Sequence, residues 1–389
     1  MVDVLRAHAT ASCVTKPSSY NVLQVLPALE AGGVERTTVE VSEALIADGH
    51  GAFVVSGGGR LVNKLTKAGA THFTANVGSK RLLSLPWRIA ALRKLIVLNK
   101  IDVVHARSRA PAWAAWRAAM AEGVPFVTTY HGIYNEGFLG KRRYNSIMAR
   151  GDLVIANSRF TADHVMATHK TPEDRIRVIP RGVDMALFDP KAVSRGRVEA
   201  VWNKWNVKPD DRVILLPARL TRWKGQTVAI RALARLPDDT VLVCAGDPQG
   251  RDAYVAELRA LANSLGVAER LRLPGHEIDM PAAFMAADRV TTPSTDPEAF
   301  GRTAAEAQAM GRWVVASNHG GAVDVVDNEV TGRLVAPGDS DALARALLGV
   351  PGTYDPIAAR ERIADRFSKQ ALQSATLQVY REAIQQQSR

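Results

Sequence analysis

The stretch EAFGRTAAEAQAMG, residues 298–311, follows the apolar run RVTTPS (289–294), and its reading decides how the rest of the chain divides. A short β-branched run, a turn carrying Pro297 and Gly301, and then an alanine-rich segment predict a strand that hands over to a helix. Two glutamates stand eight apart in it, Glu298 before the helix and Glu306 inside it. Glu306 is framed by Thr303, Ala304, Ala305, Ala307 and Ala309. A solvated helix face carries longer polar residues and more of them. A carboxylate among alanines predicts a surface that lies close to something bulky and polar. The opening turn of such a helix offers unpaired N–H groups and a positive dipole end, suited to phosphate, and Gly301 lets the backbone approach closely. Glu298 is placed to accept from sugar hydroxyls, and Glu306 suits the vicinal diol of a ribose. The plain alternative is a buried glutamate paired with a basic residue.

The same strand-then-helix grammar runs outward in both directions. NVLQVLPAL, GAFVVSGGG, IDVVHARS, PFVTTYHG, LVIANS and IRVIPRG read as buried strands in the first half, with TTVEVSEALIADG and AWAAWRAAMAEG as helices between them. DRVILLPARL, DTVLVCAGD, RLRLPGH, RVTTPS, WVVASNHG and GRLVAPG repeat the pattern in the second half. Such alternation predicts α/β architecture with parallel sheets covered on both faces. A single sheet of about a dozen strands is disfavoured, so two doubly wound domains are the better division. We expect a loose leader over 1–19, a first domain over 20–190, a second over 191–370 and a terminal helix over 371–389. Ligands of open parallel sheets bind beyond the carboxyl ends of the strands, so two facing domains would make a cleft there.

The chain has 389 residues, 47% of them hydrophobic and 23% charged, an ordinary soluble balance with material for two cores. Two cysteines, Cys13 and Cys244, provide no disulfide framework. No apolar run reaches the length of a membrane span, and the first twenty residues lack the apolar centre of a signal peptide, so a cytoplasmic location is expected. The net charge of +11 is unevenly spread: from Arg60 to Lys100 there are nine Lys or Arg and no Asp or Glu. Within it, LLSLPWRIAALRKLIVLNK predicts a basic amphipathic helix containing Trp87, the composition of peripheral contact with an anionic membrane. The alternative is a packed helix with a solvated basic face. Nucleic acid is not expected, because only Phe73 and Trp87 there could stack on bases.

Other motifs fall at expected strand ends. PARLTRWKGQ places Arg219 and Lys224 just past a strand, where two cations can clamp a diphosphate; Arg222 between them reads as solvated. LEAGGVERTT puts Gly32 and Gly33 before a helix, letting backbone N–H groups crowd a phosphate or an acceptor hydroxyl. The dinucleotide fingerprint G-x-G-x-x-G is missing there, which disfavours a nicotinamide enzyme. TTYHG sets His131 at the cleft edge of the first domain. Gly246 in CAGD and His276 in LPGH end strands that would flank a nucleobase. SNHGG carries a further glycine turn, with Asp324 left outside the site. PGDSD imitates a metal-binding Asp-x-Asp, but Asp339 ahead of a helix reads as a cap, and no other cluster has metal-ligand spacing.

Taken together these motifs resemble the retaining glycosyltransferases of family 4, with the GT-B architecture of two facing Rossmann-like domains, over about residues 20–385. The family's Glu-x7-Glu donor signature matches Glu298 and Glu306, its diphosphate cations match Arg219 and Lys224, its glycine loop matches Gly32 to Arg36, and its Pro-x-Gly-Val-Asp stretch matches Pro180 to Asp184. The resemblance implies a nucleotide diphosphate sugar as donor substrate, with no further cofactor and no metal, and a terminal helix that crosses back to the first domain. It implies His131, Arg219, Lys224 and Glu298 at the reacting groups. It implies Gly33, Arg219, Lys224, Gly246, Glu298, Phe300, Gly301, Thr303 and Glu306 around the donor. Same-face attack, with the leaving phosphate taking the acceptor's proton, is the implied route to retention. A glycan or lipid-linked acceptor, such as lipopolysaccharide core or a glycolipid at the inner leaflet, would account for the basic segment. A soluble acceptor, a nucleotide-sugar 2-epimerase and a non-catalytic membrane-docking protein are the competing readings.

Overall fold

The computed structural model describes residues 19–30, 32–79, 81–134, 137 and 140–387. Most of the expected leader, with Cys13, and also Lys80, lie outside the described residues. Seven strands form the first sheet: β1 Asn21–Val25, β2 Gly51–Ser56, β3 Thr71–Thr74, β4 Val103–Ala106, β5 Phe126–Tyr130, β6 Leu153–Ala156 and β7 Ile176–Val178. Six form the second: β8 Arg212–Leu215, β9 Thr240–Ala245, β10 Leu271–Gly275, β11 Arg289–Thr292, β12 Trp313–Ser317 and β13 Gly332–Val335. Their spatial orders, β3-β2-β1-β4-β5-β6-β7 and β10-β9-β8-β11-β12-β13, are the same winding used twice. The paired strands run parallel. Both sheets reverse direction of winding beside their first strand, β1/β4 and β8/β11, and that switch point is where such sheets bind ligands.

Fully buried runs mark the inner strands, such as β4, β5, β6, β9 and β12, because helices cover both faces. In β1, Leu23 and Val25 enter the core on one face while Val22 enters the core on the other. The expectation misses β3. Its two end residues are exposed and its middle pair only half-buried, so this edge strand carries no apolar run to betray it.

The chain leaves the first sheet after β7 and returns to it at the end. Val183 N–H donates to Phe367 O at 2.7 Å, and Lys369 N–H donates to Val183 O at 2.8 Å, so the two crossings run side by side. Gly182 is required there: a Cβ on it would stand 2.6 Å from Lys369 Cα. The connecting helix Arg195–Trp205 belongs to the second core through Val201 and Trp205. The final helix, Lys369–Gln387, packs back on the first domain, burying Leu372, Leu377, Val379, Tyr380 and Ala383. Full burial of an aliphatic or aromatic side chain contributes about 1.5–3 kcal/mol, so this helix is anchored by several such contributions. His105 Nδ1 and Tyr380 Oη add a buried hydrogen bond of 2.7 Å.

The basic segment forms a helix, Leu85–Leu98, led by Pro86 at its second position. Leu92 and Ile96 are buried, while Leu83, Trp87, Val97 and Leu98 are exposed. Its counter-charges are not missing, as the local count suggested; part of them comes from elsewhere in the chain. Arg60 pairs with Glu30, Lys64 with Glu43 and Arg93 with Glu122. Arg88 turns inward to the carbonyls of Val77 and Arg81. No helix among the described residues is long and apolar enough to cross a membrane.

Candidate active site

A cleft of about 1180 Å³ opens between the two sheets' carboxyl ends. Gly33, Arg36, Glu40 and Lys64 line it from the first domain, and Arg219, His276, Arg302, Thr303 and Glu306 from the second. A pocket of about 230 Å³ continues it beyond β8, β9 and β10, lined by Arg219, Gly246, Asp247, His276, Thr303 and Glu306. Gly246 is compelled by packing, since a Cβ would collide with Ala218 O. Glu277, only 6% exposed, fixes the loop behind this pocket by accepting from Trp205 Nε1, Lys204 Nζ and the Ile278 N–H.

The loop after β11 builds the centre of the site. Gly301, in the left-handed region at φ +87°, caps the helix Arg302–Ala309. Glu298 ahead of it accepts from Ser294 Oγ at 2.5 Å and from Lys224 Nζ at 2.8 Å on the same Oε1. Lys224 reaches it from a 3-10 turn, Arg222–Lys224, ended by Gly225 at φ +75°. A side chain at Gly225 would collide with Pro293 O, so the glycine lets the lysine turn seat directly on the β11 loop. From behind, Gly321 N–H donates to Glu298 O at 2.7 Å, and His319 Nε2 meets Ser294 O at 2.9 Å. The glycine turn of SNHGG therefore buttresses the Glu298 loop. The Phe300 side chain does not line the cleft: its ring is 3% exposed and packs in the core at 5.9 Å from Phe367.

Glu306 accepts from Arg302 Nε at 2.8 Å, one turn earlier. Burial pushes its carboxyl pKa up, and Arg302 and Arg36 act against that. Glu306 thus has both a basic partner, Arg302, and a place on the cleft wall. Arg219 is exposed on the same wall, with no side-chain hydrogen bond or ion pair among the described residues. Arg222 points away to Glu257 and the Tyr254 ring. Asp339 caps the helix Ser340–Leu348 through the Asp341 and Ala342 N–H groups, as a cap reading requires. Among the described residues no group of three metal-ligating side chains gathers.

On the first domain, Gly33 opens the helix Gly33–Ala47 at the cleft. A Cβ there would collide with the Arg181 guanidinium, a residue the motif reading passed over inside PRGVD. His131 sits behind, its main-chain carbonyl held by Asn157 Nδ2 at 3.0 Å. Burial first, then Arg181 and Arg107, hold its imidazole well below the ordinary histidine range, so it is neutral near pH 7. The domains touch beside this group: Asp324 Oδ2 accepts from Arg159 N–H at 2.7 Å, capping the helix Arg159–His169 from the opposite domain. Gly33 and Arg302 line the cleft from opposite domains, while His131 and Arg181 line a small cavity of the first domain together with Arg107 and Asn157.

Known proteins carry the same two halves. The model of "Glycosyltransferase Family 4" matches residues 31–187, and that of "Glycosyl transferases group 1" matches residues 199–350. A D-inositol 3-phosphate glycosyltransferase of Xylanimonas cellulosilytica is 34% identical over 304 residues, covering 72% of this chain and 72% of its own. Among solved structures, a glycosyltransferase from Rickettsia africae is 35% identical with TM-score 0.86, covering 94% of this chain and 99% of that one. HepE of Anabaena, solved with UDP, is 25% identical with TM-score 0.80, over 93% of this chain and 100% of that one. Two parallel sheets of the same winding, a cleft between them and these matches over both halves show that this chain is an enzyme of glycosyltransferase family 4 with the GT-B fold.

Proposed function

We propose that the chain transfers a hexose, with retention and without a metal, from a nucleoside diphosphate sugar, with UDP the first base to test and GDP the rival. The observation that carries this is a cleft wall holding Arg219, Arg302, Thr303 and Glu306, with the helix Arg302–Ala309 preceded by the loop on which Glu298 pairs with Lys224. Fixed positive groups aimed at a departing diphosphate stabilise its developing charge. Glu306 takes the ribose diol, and Glu298, set by Lys224 and Ser294, holds the sugar hydroxyls. The UDP complex of HepE supports uridine as the base. His131, neutral, orients a sugar hydroxyl at the roof of the cleft.

For the acceptor we propose a cell-envelope glycan, lipopolysaccharide core or glycolipid, met at the cytoplasmic face of an anionic membrane. Exposed Leu83, Trp87, Val97 and Leu98, set among Arg81, Lys94 and Lys100, support that docking. A soluble phosphorylated polyol is the second reading, supported by the relatives named for D-inositol 3-phosphate.

The test is a thermal-shift series with UDP, GDP and ADP, with and without EDTA, on the wild type and Glu306→Ala. Nucleotide at 100 times its Kd stabilises by about 2.7 kcal/mol, roughly 5–10 °C for a domain of this size. One nucleotide should act regardless of EDTA and lose its effect in Glu306→Ala; no shift from any of the three would sink the donor reading. Flotation with anionic against neutral vesicles, for wild type and the Leu83→Ser/Trp87→Ser double variant, separates the two acceptor readings.

A further inference from the structure

The loop that carries Glu298 is held from both domains. Its own domain holds it through Gly321, whose N–H donates to Glu298 O at 2.7 Å. A Cβ on Gly321 would stand 2.4 Å from Phe300 Cα, so glycine is what lets the two loops meet. The first domain touches the same loop one residue further on, at Ala299. A Cβ on Gly132 would stand 3.2 Å from Ala299 Cβ, and Thr161 Oγ1 donates to Ala299 O at 3.5 Å. Thr161 is itself fixed by Ser158 Oγ, which lies 3.0 Å from its hydroxyl and accepts from its N–H at 3.0 Å.

Asp324 completes this contact from the second domain. It lies three residues after Gly321, and Arg362 fixes its turn by donating to Val325 O at 2.6 Å and to Asp324 O at 3.5 Å. Its Oδ2 accepts the Arg159 N–H at 2.7 Å, from 165 residues away in sequence. Arg159 opens the eleven-residue helix Arg159–His169. The leading N–H groups of a helix have no partner within it, and a carboxylate there meets the positive end of the dipole. Ser158 caps that helix from its own domain and Asp324 caps it from the other. Helix, Asp324 turn and Glu298 loop thus form one chain of contacts running across the domain boundary.

We propose that Asp324 is a positioning residue: with Thr161 it clasps the two domains together and so sets the loop on which Glu298 stands. This rests on the reading of Glu298 as the group that holds the transferred sugar, and deepens it by making that carboxylate's place depend on the first domain. Asp324 acts through the loop and not on the substrate.

The experiment follows amide hydrogen exchange at Gly321 in the full chain without ligand, because the bond from Gly321 to Glu298 O reports how the loop is seated. Arg159→Pro removes the donor N–H. Proline is accepted at the first position of a helix, and Ser158 before it is already extended, at φ −165° and ψ 164°. Arg159→Ala keeps the N–H and controls for the exposed side chain. Gly321 should exchange about tenfold faster or more in Arg159→Pro and in Asp324→Ala, the weight of a hydrogen bond to a charged group. It should keep the wild-type rate in Arg159→Ala, and exchange no faster in the Asp324→Ala/Arg159→Pro double variant than in either single one. Local damage around Asp324 would not make a second-domain amide answer to a first-domain substitution. A wild-type rate in Arg159→Pro, or additive effects in the double variant, would overturn the proposal. UDP affinity should be unchanged in every variant; a fall in step with the exchange would mean that the contact supports the nucleotide pocket as a whole, and would overturn the specific role. Failure of UDP to bind wild type sinks the donor reading instead, and the exchange comparison, made without ligand, still decides the clasp. Should Arg159→Pro fail to fold, Thr161→Val, which loses the donor to Ala299 O, serves as the first-domain substitution. Should Asp324→Ala fail, Asp324→Asn keeps the size, weakens the acceptor and should give the same order of rates.

Discussion

Lys224 Nζ and Glu298 Oε1 lie 2.8 Å apart, on side chains only 14% and 15% exposed, in a domain where they are 74 residues apart in sequence. The pair joins the turn after β8 to the loop after β11, the two strands that flank the switch point. The lysine is already largely desolvated and held in place by Glu298, which in the role proposed above would be the preorganisation that electrostatic stabilisation of a leaving group needs.

Breaking that pair from one side should cost more than removing both partners. A nearly buried ion left unpaired loses its partner without regaining water. Lys224→Met and Glu298→Gln should each destabilise by about 2 kcal/mol, somewhat below the range for fully buried pairs, and the double variant by less than their sum. Urea denaturation of the four proteins measures the coupling. Strict additivity would mean that the contact contributes nothing to stability.

The lysine's position depends on a glycine. Gly225→Ala adds a Cβ that collides with Pro293 O at a backbone of φ +75°. Strain of this kind costs on the order of 1–3 kcal/mol, and the relief available is to lift the Lys224 turn off the β11 loop. We expect a lower melting temperature together with a drop in kcat of at least tenfold. If Gly225→Ala melts early but turns over normally, the lysine turn is structural only.

How much of this was legible in sequence depends on how local each signal was. Twelve of the thirteen strands announce themselves as short apolar or β-branched stretches ended by turn residues, and the inner ones are buried on both faces; β3, with exposed ends, does not. Arg219, Gly246 and Glu306, from the turns after β8 and β9 and from the helix after β11, line the cleft and the pocket that continues it, while Glu298 and Lys224 meet as a pair on the loops after β11 and β8. What composition could not show is pairing across the fold. Glu30, Glu43 and Glu122 answer bases of a segment that holds no acid of its own. Arg181 sits in a quoted motif, but only the tertiary approach of Gly33 reveals where its guanidinium goes. Phe300 sits inside the donor motif yet its ring faces the core, where it meets Phe367 from the far end of the chain, a contact no local spacing shows.

Glu306 should trade stability for binding. Its carboxyl is pushed up by burial, with Arg302 only partly compensating. A raised folded-state pKa means that the folded protein holds the proton more tightly than the unfolded chain. The ionised form is therefore a burden at neutral pH that acidification relieves. Glu306→Gln should leave the nucleotide-free protein at least as stable as wild type at pH 7.5, with the advantage fading toward pH 4. Its nucleotide affinity should nonetheless fall about 10- to 100-fold, the loss of a charged acceptor. A variant that melts well below wild type without nucleotide would show that the Arg302 contact outweighs the burial.

Two buried histidines set the opposite trend on acidification. His105 bridges Tyr380 Oη and Thr129 Oγ1 at 2.7 Å each, tying the final helix to β4 and β5. Burial, then Arg107 and His131, hold its pKa well down, and His131 is held down in the same way by burial, Arg181 and Arg107. The unfolded chain titrates such groups near pH 6.5. Below that it binds more protons than the folded state, so stability present at pH 7.5 is lost as pH falls, at up to about 1.4 kcal/mol per pH unit for each histidine. Glu40, Glu306 and Asp324, all pushed up, work against this in wild type. The difference between wild type and a histidine variant removes them from the comparison. His105→Gln keeps an amide for the Tyr380 and Thr129 contacts and cannot titrate, so it should start lower at pH 7.5 and lose less stability down to pH 5. Urea midpoints at half-unit steps of pH decide it, and parallel curves for the two proteins would show that His105 takes no part in the acid sensitivity.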